Sequence, residues 1–322
     1  MPAVTEHAVL AGARAWLHLR HGRLIRQFAR RLGYVPDPAV PRTYNEKILW
    51  RKLFDHDPRF PALVDKLASK AYARERCPDL AIPRILWAGE HAEAIPDTAL
   101  AGDVVVKVTH GFDWNVFIEN GRCDRQELVA TVGRWLRTVH GRREGEWAYG
   151  RVRPRVFVEE RLALGADGWP TDLKIHACDG EIMHGWAVNK INGRAVHLSA
   201  AGDPIAGART YATADQAMPA GDRLRARFFE ASRFAATLSR GVDYARCDFL
   251  VTEGQLYFGE ITLYPAAGYD SWEDAGIAHR LARCWDLRKS AFLSAARGGV
   301  GGVYARALRA RLDRLASVAR SD

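Results

Sequence analysis

The fold of this chain can be worked out from Cys247-Asp-Phe-Leu-Val-Thr-Glu-Gly-Gln-Leu-Tyr-Phe-Gly-Glu-Ile-Thr262. Alternating apolar and polar residues around Glu253-Gly254 predict two strands joined by a tight turn. Side chains two apart on a strand share a face, so Glu260 and Thr262 point the same way, and pairing across the turn can bring Asp248 to that side. Two neighbouring carboxylates repel unless a cation lies between them, and Mg²⁺ binds one or two carboxylates together with nucleotide phosphates. The stretch therefore fits a magnesium site, and equally a hairpin with charges on a solvated face.

The composition is that of an ordinary folded protein. The 322 residues are 48% hydrophobic and 26% charged, enough for one large domain or two to three small ones. No run of about 18 apolar residues occurs, so we expect no membrane span. The first residues include the acidic Glu6 and no lysine or arginine before the apolar stretch, so no secretory signal peptide is expected. Five cysteines without a CxxC pair argue against a zinc site or a disulfide framework and favour a reducing cytoplasm.

The net charge of +9 is concentrated at the two ends of the chain. Six arginines lie within residues 14–31 and five within residues 306–320. Apolar residues recur at helical spacing in both segments, which predicts a basic amphipathic helix at each end. Such helices can lie on an anionic membrane; the alternative is a peripheral helix with its arginines in solvent. No nucleic-acid-reading motif is present, so we expect no nucleic-acid partner.

Capping signals and turn residues divide the rest of the chain into mixed elements. Thr43 and Glu46 form a capping box before an apolar helical pattern. Helices are predicted over 41–54, 64–77, 124–140 and 221–240. Strands are predicted over 82–87, 103–109, 115–119, 155–161, 172–178 and 181–188. With irregular stretches at 165–170 and 190–218, frequent hairpins and no repeat, the pattern indicates an α+β fold with a mainly antiparallel sheet in its second half.

Lys107 ends the apolar run Val104–Lys107, where a lysine is costly to bury unless an anion meets it. A nucleotide phosphate is such an anion; the alternative is a lysine that snorkels at the sheet edge. The loop His110–Asn115 follows directly and contains Gly111. Such a loop between strands can lay backbone N–H groups over phosphates, although an ordinary hairpin fits the same residues.

The strand Val156–Leu162 runs from apolar residues into Glu159 and Glu160. It can present its backbone to a purine edge and a carboxylate to a ribose. A strand that simply leaves the core fits equally well.

Two further charged groups lie on predicted strands. Asp172 and Lys174 share a strand face, as a cross-strand ion pair or as part of a site. Arg246 lies two residues before Asp248 and hence on its face. It can balance the carboxylate charge, or clamp a phosphoryl group or an acyl phosphate during transfer.

In their order along the chain, these motifs resemble the ATP-grasp ligases. More narrowly, they resemble the TupA-like branch, associated with teichuronopeptide and other cell-surface polysaccharide biosynthesis. The resemblance extends from about Thr43 to about Trp272. It is carried by Asn45–Ile48, Asp65-Lys66, Val104–Lys107, His110-Gly111 with Trp114-Asn115, Glu146-Trp147, Pro154-Arg155 leading to Glu159, Asp172–Lys174, Arg246–Asp248 and Phe258–Thr262. The shared order of these motifs is much more specific than any one of them.

The resemblance implies ATP and Mg²⁺ as cofactors and assigns site residues by position. The implied cofactor-binding residues are Lys66, Lys107, His110, Gly111, Asn115, Glu159, Glu160, Leu162 and Lys174. Asp248 and Glu260 would hold Mg²⁺, with Thr262 as a weaker candidate. Arg246 and Lys174 would act in catalysis, Arg246 by stabilising the charge that develops during transfer.

The resemblance also implies an α+β ATP-grasp fold, in which two α+β lobes grip a nucleotide between flanking terminal helices. The implied regions are a basic N-terminal helical segment at 1–40, a pre-grasp-like region at 41–100, a small lobe at 101–160, a large lobe with the metal site at 161–275, and C-terminal helices at 276–322.

Two positions depart from the family pattern. Phe112-Asp113 stands in the phosphate loop where relatives tend to have small residues. An acidic side chain near a triphosphate is unfavourable unless it faces away or meets the metal. Thr262 stands where many ATP-grasp enzymes have Asn, which weakens it as a metal ligand.

The implied reaction begins with attack of a carboxylate on the γ-phosphate of ATP, and an amine then displaces phosphate to give an amide and ADP. The expected substrates are a small-molecule or lipid-linked glycan carboxylate and an amine such as an amino acid. The alternatives are a kinase on the same scaffold acting on a sugar hydroxyl, and a non-catalytic protein that binds nucleotide or glycan. We expect a cytoplasmic protein, with peripheral contact at the anionic inner membrane face.

Overall fold

Two antiparallel sheets form the framework of the computed structural model, which describes residues 3–165, 169–205, 218–272 and 275–318. Its strands are β1 (Ile85–Gly89), β2 (Val104–Val108), β3 (Asn115–Ile118), β4 (Val156–Glu160), β5 (Asp172–Cys178), β6 (Glu181–Val188), β7 (Ala195–Ser199), β8 (Ala245–Val251) and β9 (Leu256–Thr262). Its helices are α1 (Ala3–Arg20), α2 (Gly22–Leu32), α3 (Tyr44–Phe54), α4 (Phe60–Val64), α5 (Lys66–Arg76), α6 (Asp97–Leu100), α7 (Arg125–Leu136), α8 (Asp222–Ser239), α9 (Ala275–Cys284), α10 (Ala291–Ser294) and α11 (Gly299–Val318).

The smaller sheet has the strand order β1-β4-β2-β3 and is antiparallel throughout. Val104, Val106 and Val108 of β2 lie on one face because side chains alternate along a strand. All three are buried in a cluster that includes residues of α7. Lys107 alternates to the other face, which borders the cleft between the two sheets.

The larger sheet has the order β7-β6-β5-β8-β9 and is also antiparallel, with α8 packed on β5 and β8. The hairpin predicted around Glu253-Gly254 is confirmed, with Asp248 directly opposite Glu260. The register shifts after this pair, and Gly259 is the extra residue. A Cβ atom at Gly259 would lie 2.7 Å from the Asp248 carbonyl oxygen, so glycine is required at this bulge.

Two predicted boundaries shift for local reasons. The helix predicted over 64–77 is two helices, α4 and α5, because Asp65 ends the first and caps the second by accepting two amide hydrogen bonds from its first turn. The strand predicted over 82–87 begins only at Ile85, since Pro83 has no N–H group for a strand ladder.

The helix predicted over 124–140 ends at Leu136. The His110 Nε2 atom lies 3.2 Å from the carbonyl oxygen of Trp135 and 3.1 Å from that of Thr138. The imidazole thus lies within hydrogen-bonding distance of backbone carbonyl groups near the helix end. In a longer helix, such carbonyl groups would accept hydrogen bonds from the backbone N–H groups of the next turn.

The stretch predicted to be irregular at 190–218 contains strand β7, which pairs with β6. A strand of five residues is too short to give a periodic signal, and its pairing with β6 depends on the folded sheet. Residues 206–217 lie outside the described residues, as do residues 166–168 of the predicted loop at 165–170.

The helices predicted at the chain ends are present as α1, α2 and α11. Helix α1 packs against α11, burying Leu10 and Leu17, while Trp16 and Leu19 are 54% and 87% exposed. In the part of the chain that the structure describes, no helix has the apolar length of a membrane span.

A buried ion pair ties α3 to the larger sheet. Arg51 Nη2 lies 2.5 Å from Asp243 Oδ1, and both side chains are almost fully excluded from solvent. The indole N–H of Trp285 donates to the other Asp243 oxygen at 2.6 Å. Arg51 also donates to the backbone carbonyl groups of Tyr244 and Leu263 at 2.9 and 3.1 Å. Each buried charge in this cluster is therefore compensated by the opposite charge and by hydrogen bonds from neighbouring residues.

Candidate active site

Asp248 lies at the centre of the cleft and is held by two cations. Arg246, two residues away on the same strand face, donates from Nε and Nη2 to the two Asp248 oxygens at 2.7 Å each. Lys174 reaches across from β5, with its Nζ also 2.7 Å from Oδ2. Burial by itself would raise the pKa of Asp248, but the Arg246 and Lys174 charges outweigh it and hold that pKa well below its usual range.

Glu260 lies opposite Asp248 and has its own lysine. Lys66 Nζ, at the start of α5, is 3.0 Å from Glu260 Oε2 and 2.5 Å from the Gly111 carbonyl oxygen. Thr262 Oγ1 is 3.4 Å from Glu260 Oε1, so the two side chains share a face as predicted. The pKa of Glu260 is lowered, because Lys66 outweighs the opposing effect of burial.

A third carboxylate, Glu159 on β4, lies between two lysines, one on β2 and one on α5. Lys107 Nζ contacts its Oε1 atom, and Lys70 Nζ is 3.2 Å from Oε2. Sequence reasoning missed Lys70, which is buried on α5 and belongs to no motif. The available signal was its spacing of four residues from Lys66, which places both lysines on one helix face.

These groups surround a narrow cavity of about 110 Å³ between the sheets. Its charged lining consists of Lys66, Lys70, Lys107, Lys174 and Lys190 together with Asp113, Asp172, Asp248 and Glu260. Basic side chains from the middle of the chain and acidic side chains from late in the chain therefore meet in one cleft.

A larger cavity of about 750 Å³ adjoins the narrow one. The two share the lining residues Lys66, Phe112, Asp113, Lys174, Lys190 and Glu260. Arg246 and Thr262 face the larger cavity, and so does Asp270, which was not predicted. Burial raises the pKa of Asp270 to about 6, against the opposing charges of Arg246 and Lys174. Glu260 thus stands at the junction of the two cavities, while Asp248 faces the narrow one.

The loop from 110 to 115 covers this junction. Gly111 packs so tightly on the loop's own indole that a Cβ atom would lie 2.2 Å from Trp114 Cε3. Asp113 takes a left-handed backbone conformation with φ of 55° and lines both cavities. Asn115 lines the narrow cavity, whereas the buried His110 ring anchors the loop to the end of α7. The acidic Asp113 therefore faces the cleft rather than bulk solvent alone.

Four predicted nucleotide-binding side chains lie away from the cavity walls, and the buried His110 is one of them. Glu159 is held by its two lysines, and Glu160 Oε1 accepts a hydrogen bond from the Arg84 amide at 2.8 Å. Neither of them, nor Leu162, lines either cavity. Strand β4, which contains Glu159 and Glu160, borders the narrow cavity through Phe157.

The sequence matches the model of the TupA-like ATP-grasp family over residues 46–281. The chain belongs to the TupA-like ATP-grasp family. The match covers well over half of the chain, and it confirms the predictions of an ATP-grasp fold, of an ATP-dependent ligase, and of ATP and Mg²⁺ as cofactors.

Solved structures similar to this TupA-like ATP-grasp protein share little of its sequence. D-alanine–D-alanine ligase from Bacillus anthracis, complexed with ATP, is 14% identical, with 74% of this chain and 68% of that chain covered and a TM-score of 0.41. The ligase of the same name from Helicobacter pylori is 14% identical, with 70% and 61% covered and a TM-score of 0.42. D-cycloserine synthetase DcsG is 16% identical, with 79% and 72% covered and a TM-score of 0.38. No curated protein matches the chain.

The carboxylate pair of this TupA-like ATP-grasp protein fits Mg²⁺ by its chemistry. Asp248, Glu260 and Thr262 present only oxygen ligands, all on one face of a hairpin. Both carboxylates are already paired with cations, Asp248 with Lys174 and Glu260 with Lys66. The described residues contain no group of three or more His, Cys, Asp or Glu able to hold a metal ion. Mg²⁺ takes phosphate oxygens and waters to complete its shell, so one or two carboxylates are sufficient.

Proposed function

We propose that this chain is an ATP- and Mg²⁺-dependent carboxylate–amine ligase acting on a cell-surface polysaccharide or glycan precursor. The observation that carries the proposal is the junction of the two cavities. Lys107 and Lys174 face the narrow cavity together with Asp248 and Glu260, and Glu260 also faces the larger one. A triphosphate in the first cavity would then present its terminal phosphate to a substrate in the second.

The ion pairs support an exchange of charged partners as the first step of nucleotide binding. Lys66 and Lys174 now neutralise Glu260 and Asp248. Lys66 and Lys174 would turn their ammonium groups to the phosphates of a bound magnesium–triphosphate complex, and Asp248 and Glu260 would then hold the metal. Each carboxylate would thus have a cation beside it before and after binding, which avoids an uncompensated buried charge in either state.

The remaining predicted residues have supporting roles in the proposal. The loop with His110, Gly111 and Asn115 covers the phosphates, and the strand end at Glu159, Glu160 and Leu162 borders the adenosine. Bound Mg²⁺ would be held by Asp248 and Glu260, with Thr262 beside them, and would supply charge neutralisation at the transferring phosphoryl group.

The chemistry then proceeds in two balanced steps. A substrate carboxylate oxygen attacks the γ-phosphorus, the bond from that phosphorus to the bridging oxygen breaks, and ADP leaves. The amine nitrogen next attacks the acyl carbon, the carbon–oxygen bond to phosphate breaks, and an amide forms. Arg246 faces the larger cavity beside Asp248 and stabilises the negative charge that develops in both steps.

A phosphate-release screen tests this function. Mg-ATP is offered with D-glucuronate or D-galacturonate as carboxylate and with single amino acids as amine, and ADP and free phosphate are measured together with product mass. Release that requires both a carboxylate and an amine supports the ligase. A phosphate ester on a sugar hydroxyl would instead identify a kinase, and ADP release that no pair stimulates would contradict the proposal.

Replacing Lys107 by methionine is expected to weaken Mg-nucleotide binding about 10–100-fold, since a hydrogen bond to a charged group contributes about 1.5–3 kcal/mol. Calorimetric titration with a non-hydrolysable ATP analogue measures the change. Lys289→Met is the matched control. Lys289 is an exposed lysine, and it pairs with Asp179, which is distant from it in the sequence. Equal affinities for the Lys107 variant and the wild type would show that Lys107 does not bind the nucleotide.

We also propose that the N-terminal helices contact an anionic membrane surface. Trp16 and Leu19 are exposed on α1, and the surrounding segment carries the arginines that give the chain much of its positive charge. Co-sedimentation with vesicles of phosphatidylserine and phosphatidylcholine is expected to exceed that with phosphatidylcholine alone. The Trp16→Ser/Leu19→Ser variant should lose this binding, whereas Phe229→Ser, an exposed apolar residue on α8, should not. Sedimentation that ignores the anionic lipid would refute the contact.

A further inference from the structure

The wall of the larger cavity contains a buried carboxyl group that the proposed chemistry has not yet used. Glu146 lines this cavity, and its residue surface is only 5% exposed. Among the described residues, none donates a hydrogen bond to its carboxylate. The nearest ring nitrogen, His140 Nε2, is 3.8 Å from Oε2, which is too far for a hydrogen bond. The Glu146 oxygens therefore keep acceptor capacity toward the cavity, which a donor group of a ligand can use.

The backbone holds Glu146 rigidly in this wall. The Glu146 amide donates to the Gly141 carbonyl oxygen at 2.9 Å, and Gly141 turns with a φ of +69°. A Cβ atom at Gly141 would lie 2.6 Å from Glu146 Oε2, so the carboxyl group packs directly on the turn. The next residue, Trp147, stacks on Phe60. The carboxyl group is therefore presented to the cavity rather than folded into the core.

Charges around Glu146 leave its oxygens available. Lys52 on α3 is buried nearby, but its ammonium donates to the Ala267 carbonyl oxygen at 2.7 Å. Burial lowers the pKa of His140, which favours its neutral form. Burial also raises the pKa of Glu146 to about 7, since the Lys52 charge compensates for it only in part. A group with that pKa can accept a proton and release it again near neutrality.

Arg31 gives the same end of the cavity a cationic group. It lines the larger cavity, its guanidinium lies 4.5 Å from the centre of the Tyr269 ring, and the side chain is exposed. Together with Glu146 and Glu144, it is among the charges that act on Lys52. A carboxyl acceptor and a guanidinium donor facing one cavity match the ammonium and carboxylate groups of an α-amino acid.

The lining of the same cavity also includes Arg246, Lys174 and Glu260, where the acyl phosphate forms in the proposed function. An activated carboxyl group on the Arg246 side and an amine on the Glu146 side would therefore meet inside the same cavity.

We propose that the amine substrate is an α-amino acid, with its ammonium bound by Glu146 and its carboxylate by Arg31, and that Glu146 is the proton acceptor for amide formation. This assignment rests on the proposed ligase function. Glu146 removes one proton from the ammonium, and the freed nitrogen lone pair attacks the acyl carbon. The carbon–oxygen bond to phosphate breaks, and the second nitrogen proton leaves with the phosphate as HPO₄²⁻. Glu146 returns its proton to solvent.

The first test measures binding of L-alanine, L-glutamate and L-lysine to the complex with Mg²⁺ and a non-hydrolysable ATP analogue, by saturation-transfer NMR. The wild type is expected to bind at least one of them saturably, and Glu146→Gln to bind it at least tenfold more weakly. Arg31→Met should show a similar loss, which keeps the test usable if Glu146→Gln does not fold. Glu253→Gln, in the exposed hairpin turn, is the control and should match the wild type. Binding of none of the three amino acids by the wild type, or equal affinities for wild type and both variants, overturns the assignment.

A second test separates this assignment from the ligase function. Hydroxylamine is a small neutral nucleophile that traps an acyl phosphate without needing the amino-acid site. With D-glucuronate and Mg-ATP, the wild type should form hydroxamate, and the ratio of amide formed with an amino acid to hydroxamate should fall at least tenfold in Glu146→Gln. Retained amide formation in Glu146→Gln overturns the role of Glu146. Absence of hydroxamate in the wild type, with amino-acid binding still lost in Glu146→Gln, contradicts the ligase function and leaves the binding site supported.

Discussion

Glu260→Gln is expected to lower Mg-ATP-dependent turnover about 10²–10³-fold, the range for losing one group that stabilises transition-state charge. The substitution keeps the shape of the side chain and removes the charge that both Lys66 and the metal require. Glu260 is partly exposed at the cavity junction, so its neutralisation leaves no deeply buried cation unpaired. We therefore expect the loss in the rate and in the apparent affinity for Mg²⁺, with the melting temperature near that of the wild type.

The hairpin supplies its own control for this prediction. Glu253 lies in the turn of the same hairpin with a side chain 64% exposed, and Glu253→Gln makes the same chemical change away from the cleft. Phosphate release at several Mg²⁺ concentrations compares the two variants. If Glu260→Gln retains the wild-type rate at limiting Mg²⁺, Glu260 is not part of the metal site.

Arg51→Met is expected to destabilise the fold by about 3–5 kcal/mol, the cost of leaving one member of a buried ion pair uncompensated. Among the described residues, Asp243 would keep only the Trp285 indole N–H as a side-chain partner, and Asp55, a second buried carboxylate, depends on the same arginine charge. Burial and Asp243 raise the pKa of Asp55 to about 7, which Arg51 opposes. Denaturant unfolding followed by circular dichroism measures the free-energy change.

Two further variants distinguish the buried charge from general loss of packing. Arg51→Met/Asp243→Leu removes both charges and should recover part of the lost stability. Arg225→Met breaks a pair with Asp203 that is largely exposed and should cost less than about 1 kcal/mol. A double variant less stable than Arg51→Met would mean that packing, rather than the unpaired carboxylate, dominates.

The sequence predicted best where a local pattern determines the geometry. The β8–β9 hairpin placed Asp248 and Glu260 opposite each other because alternation along a strand is a property of neighbouring residues. The capping box at Thr43 and Glu46 formed for the same reason. The end of α7 was missed because it depends on His110, which comes from a loop earlier in the chain.

The site was predicted in part, and the missing part has a common cause. Lys70 contributes a second charge beside Glu159, yet nothing within its own helix distinguishes it from a surface lysine. Glu146 was part of a motif, but its role depends on a cavity formed by several distant segments. The predicted nucleotide contacts at Glu160, the last residue of β4, and at Leu162, just beyond it, concern side chains that line neither cavity, and they stay predictions.

By itself, the sequence determined the strand alternation, the order of the motifs and hence the family, and the concentration of positive charge at both ends. Only the tertiary structure decided that Lys66 pairs with Glu260, that Arg246 and Lys174 share Asp248, and that two cavities meet beside them. The physical reason is the separation along the chain over which each kind of interaction acts. Backbone geometry repeats over two to four residues and can be read locally, whereas a charge selects its partner only after burial has removed the competing water.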